Sequence, residues 1–285
     1  MTSDVLQEQA VSFKVKGACL YGVISTPAQA SPRGVLFIVG GPQYRAGSHR
    51  QFTLLARDLA ANGYSGMRFD YRGMGDSEGE SLHFSETTED IKAALDYFFK
   101  TQTHLQEVVL WGLCDAASAA LFYAHQDQRI TGLILLNPWV RTEAGIAKTY
   151  LKHYYVQRLF TAEFWKKMLL GKVRFFTSAK SLVMQLRQAV TSKNVHSDSE
   201  EQLGLPEKML SGLQRFKGKT CIILSENDLT AQEFSDLVSS SADWKKLLTS
   251  PRLKQLTLAG ANHTFSQRKW REQVASWTTE WLKSW

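Results

Sequence analysis

Residues 107–120 read Glu-Val-Val-Leu-Trp-Gly-Leu-Cys-Asp-Ala-Ala-Ser-Ala-Ala and carry the strongest structural signal in the chain. The apolar residues 108–111 predict a buried strand, and the small residues after position 114 predict a helix. A tight turn joins the two, because Gly112 and Ala116 let the strand and helix backbones approach closely. Cys114 then stands at the turn as a candidate nucleophile, where a helix N-terminus favours a thiolate. A buried structural cysteine is the alternative interpretation.

Apolar strand-like runs alternate with helical patterns along most of the chain. Residues 10–26 predict a strand hairpin, and further strands are predicted at 34–39, 65–69, 108–111, 132–136, 220–224 and 253–258. Apolar residues have helical spacing at 49–62, 87–100 and 267–282. Buried strands that alternate with helices predict an α/β fold with a mostly parallel sheet covered on both faces.

A thiol nucleophile needs a base, and the base needs an acid that orients it. His263 follows the predicted strand at 253–258, and Asp228 follows the predicted strand at 220–224. Both positions lie at the carboxyl ends of strands, the edge at which open α/β sheets place their sites. We therefore expect His263 as the base and Asp228 as its orienting acid, with Glu226 as a competing acid.

Two backbone N–H groups would be needed to stabilise an oxyanion. One is the amide of Asp115, directly after the candidate nucleophile. The other comes from the turn Gly40-Gly41-Pro42, and because proline has no N–H we assign Gly41. The Asp115 carboxylate would disfavour a thiolate if it pointed inward. We therefore expect it to point away from Cys114 or to pair with a nearby arginine.

Composition restricts the class of protein. With 285 residues, of which 44% are hydrophobic, the chain can form a sizeable core. Cys19, Cys114 and Cys221 form no CxxC pair, which favours a reducing compartment. No apolar run is long enough to span a membrane, and the polar residues 1–9 are unlike a secretory signal. We therefore expect a cytoplasmic protein.

The net charge of +7 is concentrated in one segment. Residues 141–195 hold eleven Lys/Arg and two Glu, a net charge of +9, whereas the remaining 23 Lys/Arg and 25 Asp/Glu give −2. A solvated basic face is one interpretation. The other is an acidic partner, such as a phosphopantetheine carrier, a coenzyme A ester or an anionic membrane contacted peripherally. We do not expect nucleic acid as a partner, because the segment matches no recognised binding module.

These features together resemble the α/β-hydrolase superfamily. Residues 70–77 match its Asp-x-Arg-Gly-x-Gly-x-Ser turn, which is usually structural. Residues 40–42 resemble the oxyanion turn of proline iminopeptidase-like members, although Val39 stands where they carry His. Cys114 replaces the usual Ser, as in dienelactone hydrolases. The resemblance implies an α/β-hydrolase fold with a mostly parallel eight-stranded sheet, helices on both faces and a helical cap inserted after the sixth strand.

Four segments resemble, more narrowly, the exosortase A system-associated hydrolases of the first type. They are residues 40–52, 68–80, 111–119 and 136–141. This resemblance implies a bacterial protein linked to exopolysaccharide production and the exosortase sorting system. It supplies no substrate.

The resemblance also implies a division into domains. Residues 1–140 and 206–285 would form the hydrolase core, and residues 141–205 the helical cap, of which the polar stretch 193–205 predicts a loop. Five residues are expected on the substrate side of the site: Gln43, Tyr44, Arg45, Trp139 and His153.

The leading functional hypothesis is a hydrolase or acyltransferase that acts on an ester or thioester through Cys114, His263 and Asp228. Its substrate would be a small-molecule or carrier-bound acyl compound. The alternative is a catalytically silent binding or assembly protein of the same system that keeps the fold. Peptidase activity, suggested only by the Gly-Gly-Pro turn, is a third hypothesis. The sequence shows no metal-ligand cluster and no nucleotide-binding loop, so we expect neither a metal nor another cofactor.

Overall fold

The computed structural model describes residues 6–41, 43–140 and 203–285. Residues up to Val140 and from Pro206 onward belong to one compact unit. The predicted cap at 141–205 lies outside the described residues apart from its last three positions. The division into core and cap therefore stays a prediction.

Strands of the described part of the chain form one eight-stranded sheet. They are β1 (Gln7–Val15), β2 (Ala18–Thr26), β3 (Arg33–Ile38), β4 (Gly66–Phe69), β5 (Glu107–Leu113), β6 (Ile130–Leu136), β7 (Lys219–Ser225) and β8 (Leu253–Leu258). Their spatial order is β1-β2-β4-β3-β5-β6-β7-β8. The pairings β1–β2 and β2–β4 are antiparallel and the other five are parallel. The prediction of a mostly parallel, eight-stranded sheet of α/β-hydrolase type is confirmed.

The helices of the described ranges connect and cover these strands. They are α1 (Gln51–Ala61), α2 (Thr88–Thr101), α3 (Asp115–Ala124), α4 (Leu205–Arg215), α5 (Leu229–Ser240), α6 (Ala242–Leu248) and α7 (Arg268–Leu282). The sequence analysis did not separate α4 or α6 as elements. Proline is tolerated in the first turn of a helix, where Pro206 stands, and Ser241 caps α6 by accepting the Trp244 N–H at 3.4 Å. Within the described ranges, every helix is too short or too polar to cross a bilayer.

The central strands are buried on both faces, as their continuous apolar sequences predict. Every residue of β3 is buried, and so is every residue of β5 after Glu107. On one face of the sheet, Trp111 packs with Phe37 and Phe52 in a cluster that also includes residues of α1 and α7. Because burial of each such side chain is worth about 1.5–3 kcal/mol, this packing holds β5 and the turn after it in place.

Candidate active site

Cys114 lies at the turn between β5 and α3. A Cβ atom at Gly112 would lie 2.7 Å from the Ala116 carbonyl oxygen, so the turn needs glycine there. Cys114 itself has φ 66° and ψ −125°, a conformation that residues other than glycine rarely adopt. Its N–H donates to the Leu136 carbonyl at 2.8 Å, which ties the turn to the end of β6. The partly exposed thiol is thus presented at the carboxyl edge of the sheet.

Asp228 contacts the imidazole ring of His263. Their Oδ2 and Nδ1 atoms lie 2.9 Å apart. Asp228 is 9% exposed and also accepts the Ala231 N–H at 3.2 Å, which caps α5 and fixes the carboxylate. Glu226, the competing acid, accepts the Gly260 N–H at 2.7 Å and so connects two loops. The structure therefore places Asp228 against the ring and gives Glu226 a backbone partner.

The His263 ring lines the same cavity as Cys114. Because Nδ1 faces Asp228, Nε2 is the ring nitrogen left for sulfur. The hydrogen bond to Asp228, and then the interaction with Cys114, raise the pKa of His263 to about 10. Both neighbours therefore favour the protonated ring. The sequence analysis assigned these three residues to one site, and the structure brings them together at one edge of the sheet.

Asn137 and Ser225 connect the loops that carry Asp228 and His263. The Asn137 amide donates to Ser225 Oγ at 2.9 Å and to the His263 carbonyl at 3.1 Å, and its Oδ1 accepts the Ser225 N–H at 2.8 Å. Asn137 is fully buried with φ 42°, a left-handed conformation that asparagine tolerates better than most residues. Sequence reasoning missed this role. The available signal was an asparagine directly after an apolar strand.

The Asp115 carboxylate contacts one of the two amides that were expected to hold an oxyanion, that of Gly41. Its Oδ2 accepts the Gly41 N–H at 2.7 Å, and its Oδ1 accepts the Ala116 N–H at 2.9 Å. Burial raises the pKa of Asp115, and these amides oppose that rise. The expectation that Asp115 points away or pairs with an arginine is wrong, because backbone N–H groups are its partners. Gly41 is consequently not a free donor here.

A cavity of about 570 Å³ opens beside Cys114, Asp115 and His263. Gln43 and Trp139, two residues expected on the substrate side, line it. Its wall also includes residues that the sequence analysis did not assign to the substrate side: Tyr71, Met74, Leu82, His83, Phe84 and Thr87. They were missed because they come from a turn and an irregular segment that only the fold brings to this edge. The size is typical of small-molecule pockets.

Arg45 has structural partners and does not line this cavity. Its guanidinium pairs with the fully buried Asp70 and, at 2.6 Å, with Asp76. Its N–H donates to Asp70 Oδ1 at 2.6 Å. Tyr44 is 47% exposed, and its ring lies 4.8 Å from the Arg45 guanidinium carbon. Neither residue lines the cavity beside Cys114. Arg45 supplies the cationic partner that a buried carboxylate needs, and the substrate-side expectation for both residues stays a prediction. His153 lies outside the described residues and stays a prediction.

A thiol, an imidazole and a carboxylate at one edge of the sheet can perform nucleophilic acyl transfer. The same edge carries the Gly41 N–H, which the Asp115 carboxylate occupies in this structure. Among the residues that the structure describes, no group of three or more His, Cys, Asp or Glu is arranged to hold a metal ion.

Comparison with known proteins places the chain in a family. The family model for serine aminopeptidases, S33, matches residues 30–211, more than half of the chain. The chain belongs to the S33 family of α/β hydrolases. The name of the family specifies serine, so the cysteine at the turn is a departure within this S33 chain. A curated relative, the quorum-quenching protein AidA of Acinetobacter baumannii, is 33% identical over 93 residues. That match spans 31% of the S33 chain and only 31% of the relative.

Solved structures share the fold over nearly the whole length. An esterase from Pyrococcus furiosus has a TM-score of 0.66 and 15% identity, with 98% of the S33 chain and 93% of the esterase covered. A dienelactone hydrolase from Anabaena variabilis has a TM-score of 0.62 and 16% identity, with 98% of each chain covered. At these identities the likeness shows the fold alone.

Proposed function

We propose that this S33-family protein is a hydrolase or acyltransferase that acts on esters or thioesters through a Cys114–His263–Asp228 triad. The observation that carries the proposal is His263, whose ring is hydrogen-bonded to Asp228 and lines one cavity together with Cys114. A catalytic base that is held by an acid beside a nucleophile is the arrangement that covalent catalysis requires.

The reaction would proceed in two steps. In the first, the Cys114 proton resides on His263 and the thiolate sulfur attacks the acyl carbonyl carbon. A carbon–sulfur bond forms, the bond between the carbonyl carbon and the leaving group breaks, and the protonated His263 donates its proton to the departing alkoxide or thiolate. In the second, water or another acceptor gives a proton to His263 and attacks the thioester carbon. The carbon–sulfur bond breaks, His263 returns the proton to the Cys114 sulfur, and the acid or the acylated acceptor is released.

The oxyanion of each step would rest on the backbone amides of Gly41 and Asp115. The Gly41 N–H donates to the Asp115 carboxylate in the structure, so that carboxylate must move away before an oxyanion can take its place. Removal of one such donor typically costs about 10²–10³-fold in rate. As long as the Asp115 carboxylate stays on the Gly41 amide, it would therefore lower the rate of acyl transfer.

Several observations support an acyl substrate. The cavity of about 570 Å³ has the size of a small-molecule pocket, and its walls are largely apolar. The esterase and the dienelactone hydrolase of similar fold are named for ester chemistry. A small or carrier-bound acyl compound fits these features, and a thioester intermediate can pass its acyl group to amines or thiols as well as to water.

A link to the exosortase A system is part of the proposal. It rests on the four sequence segments that resemble exosortase A system-associated hydrolases of the first type. Deletion of the gene from a bacterium that carries it should reduce exopolysaccharide, and restoration of the native gene should recover it. Unchanged exopolysaccharide in the deletion strain would overturn this link.

The basic segment at 141–195 would serve an acidic partner in a cytoplasmic protein, through an acyl carrier or peripheral contact with an anionic membrane. Co-sedimentation with lipid vesicles tests the peripheral contact with a membrane. Greater recovery with anionic than with neutral vesicles is expected. Equal recovery would remove the membrane from the proposal.

A silent binding protein is the second candidate. The Asp115 carboxylate on the Gly41 amide favours it, because a negative charge occupies the position that an oxyanion would need. A Cys114 thiol that alkylates no faster than a model thiol would support this candidate.

Stopped-flow kinetics with a series of nitrophenyl acyl esters tests the proposed reaction. The native chain should give a burst of nitrophenol equal to the enzyme concentration, and Cys114→Ala should give none. Mass spectrometry should find the acyl group on Cys114. If the native chain gives neither a burst nor turnover with any ester or thioester tested, the silent binding protein is favoured. If only free acid is released when amine and thiol acceptors are present, acyltransferase activity is excluded.

A further inference from the structure

His83 lies on the wall of the cavity beside Cys114, and its hydrogen bonds select one tautomer of the imidazole ring. The residue caps a single 3₁₀ turn, Phe84–Glu86. Its Nδ1 accepts the Ser85 N–H at 3.4 Å and lies 2.7 Å from the Ser85 hydroxyl oxygen. Because Nδ1 is an acceptor, the proton of the neutral ring is on Nε2, which can donate. None of the described residues is hydrogen-bonded to Nε2.

The position of Ser85 directs the Nε2 edge of the His83 ring toward the cavity. Ser85, the partner of Nδ1, is not among the described residues that line the cavity, whereas His83 is. The edge of the ring opposite Ser85 therefore faces the cavity. His83 is also an exposed residue, so a molecule in the cavity can reach this donor.

The ring of His83 is held in place although it is exposed. Its centroid lies 4.3 Å from that of the Phe84 ring, which stacks on Phe122 at 6.2 Å. Phe122 belongs to α3, the helix that begins directly after Cys114. The segment that carries His83 is therefore attached to the helix of the candidate nucleophile. A donor that is already positioned loses little conformational entropy when a ligand binds.

The surroundings of His83 restrict the chemical group that it can bind. The Asp115 carboxylate lines the same cavity, so an anionic group would meet a like charge there. Leu82 and Phe84, the chain neighbours of His83, add apolar surface to the wall. A neutral oxygen on a hydrocarbon chain suits both conditions, because the oxygen accepts the Nε2–H while the chain buries its apolar surface.

We propose that His83 is a specificity-determining residue, whose Nε2–H binds a second, neutral oxygen of the acyl substrate, several bonds away from the carbonyl that Cys114 attacks. Capping of the 3₁₀ turn accounts for Nδ1 and leaves Nε2 for this oxygen. The inference rests on the proposed function for the kind of molecule that occupies the cavity. Binding to His83 can nevertheless be measured without any reaction at Cys114.

A series of matched ligands tests the proposal on the full-length Cys114→Ala chain, which cannot be acylated. The ligands are N-methyl amides of nonanoic acid whose ketone oxygen is moved one carbon at a time along the chain. In the mate of each ligand, a methyl group replaces that oxygen. Binding is followed by NMR through the His83 Cε1–H signal, which His83→Asn identifies among those of the 7 histidines. We expect one ketone to shift this signal and to bind about threefold to tenfold more tightly than its mate, the value of one neutral hydrogen bond.

The variant His83→Asn separates binding of the oxygen from capping of the turn. Asparagine is a favoured N-cap residue, so the free energy of unfolding in urea should be retained while the Nε2 donor is lost. The preferred ketone and its mate should then bind equally. His104→Asn is the matched control, because the His104 ring is hydrogen-bonded to Ser65 and does not line this cavity. The preference for the ketone should remain in that variant.

Equal affinities for ketone and mate at every position of the oxygen would overturn the proposal. A preference that persists in His83→Asn would also overturn it, because another donor would then bind the oxygen. If His83→Asn does not fold, its His83 signal in the parent chain is assigned by elimination, and a signal that no ketone moves has the same meaning. The stopped-flow burst tests the reaction separately. A ketone preference without any burst would remove the reaction and keep the role of His83, and a burst without a preference would do the reverse.

Discussion

The Asp115 carboxylate accepts the Gly41 N–H at 2.7 Å, across 74 residues of sequence. This contact connects the turn after β3 to the residue that follows Cys114. The two segments approach so closely that position 40 needs glycine, because a Cβ atom on Gly40 would lie 2.0 Å from Asp115 Oδ1. The site thus holds a carboxylate of its own at one of the amides that would bind a substrate oxyanion.

Removal of this carboxylate should speed acylation. Asp115→Ala frees the Gly41 amide for the oxyanion. Each hydrogen bond to a charged group is worth about 1.5–3 kcal/mol, so we expect a burst rate constant roughly 10–100-fold higher with nitrophenyl esters. Asp115→Asn is the matched control, because its amide oxygen can still accept the Gly41 N–H and the rate should stay near that of the native chain. An Asp115→Ala chain slower than the native one would show that the carboxylate assists the reaction.

Loss of Asn137 should damage both stability and the candidate active site. Asn137→Ala leaves the Ser225 N–H without its acceptor in a buried region, which costs about 1–3 kcal/mol in urea unfolding. The burst rate should also fall, because the His263 carbonyl loses a donor that fixes its loop. Asn137→Gly also lacks the side-chain amide, but glycine adopts the left-handed backbone conformation without strain. Equal losses in both variants would assign the effect to the hydrogen bonds, and a fully stable Asn137→Gly would contradict their importance.

Arg45→Ala should act on folding and not on substrate affinity. Its partner Asp70 has no exposed side-chain surface, so the variant leaves a buried charge unpaired, at a cost of about 3–5 kcal/mol. Tyr44→Ala, at a largely exposed position, should change the free energy of unfolding by less than about 0.5 kcal/mol. The KM for nitrophenyl esters should remain the same for the folded fraction of both variants. A raised KM for Arg45→Ala alone would restore the substrate-side role expected from the sequence.

The sequence was most informative where local pattern and burial agree. Strands such as β5 and β6 were predictable because continuous apolar runs bounded by small residues have few other conformations available. Cys114, Asp228 and His263 were assigned to one site because each follows a predicted strand and parallel strands end at one edge.

The side-chain contacts of the site were not predictable in the same way. Asp115 could have faced an arginine or solvent, and only the approach of the Gly40-Gly41 turn determines its partner. Arg45 belongs to a motif near the site, yet its guanidinium pairs with the buried Asp70, which lies 25 positions further along the chain. Such pairings depend on tertiary distances, which periodicity and spacing do not contain.

The stability that His263 contributes should fall with rising pH. Its pKa of about 10 in the folded chain lies above the ordinary value of 6.5, so the folded state binds the proton more tightly. The contribution is therefore full below pH 6.5 and is lost as pH rises through about 10. Urea unfolding of the native chain and His263→Gln across this range should show a shrinking difference. Because the side chain is 34% exposed, screening reduces the effect. A difference that grows with pH would contradict the assignment.

The titration of His263 itself should separate the contributions of its two neighbours. Its pKa is raised first by the hydrogen bond to Asp228 and second by the interaction with Cys114. Cys114→Ala removes the smaller cause and should lower the pKa measured from the His263 ring proton by NMR below about 10. Asp228→Asn removes the larger cause and should lower it further, because an amide cannot stabilise an imidazolium as a carboxylate does. His83→Gln, at another histidine of the cavity wall, is the control and should leave the His263 titration in place. A pKa that does not respond to Cys114→Ala would mean that thiol and ring are not coupled in solution, and the proposed nucleophile would lose its base.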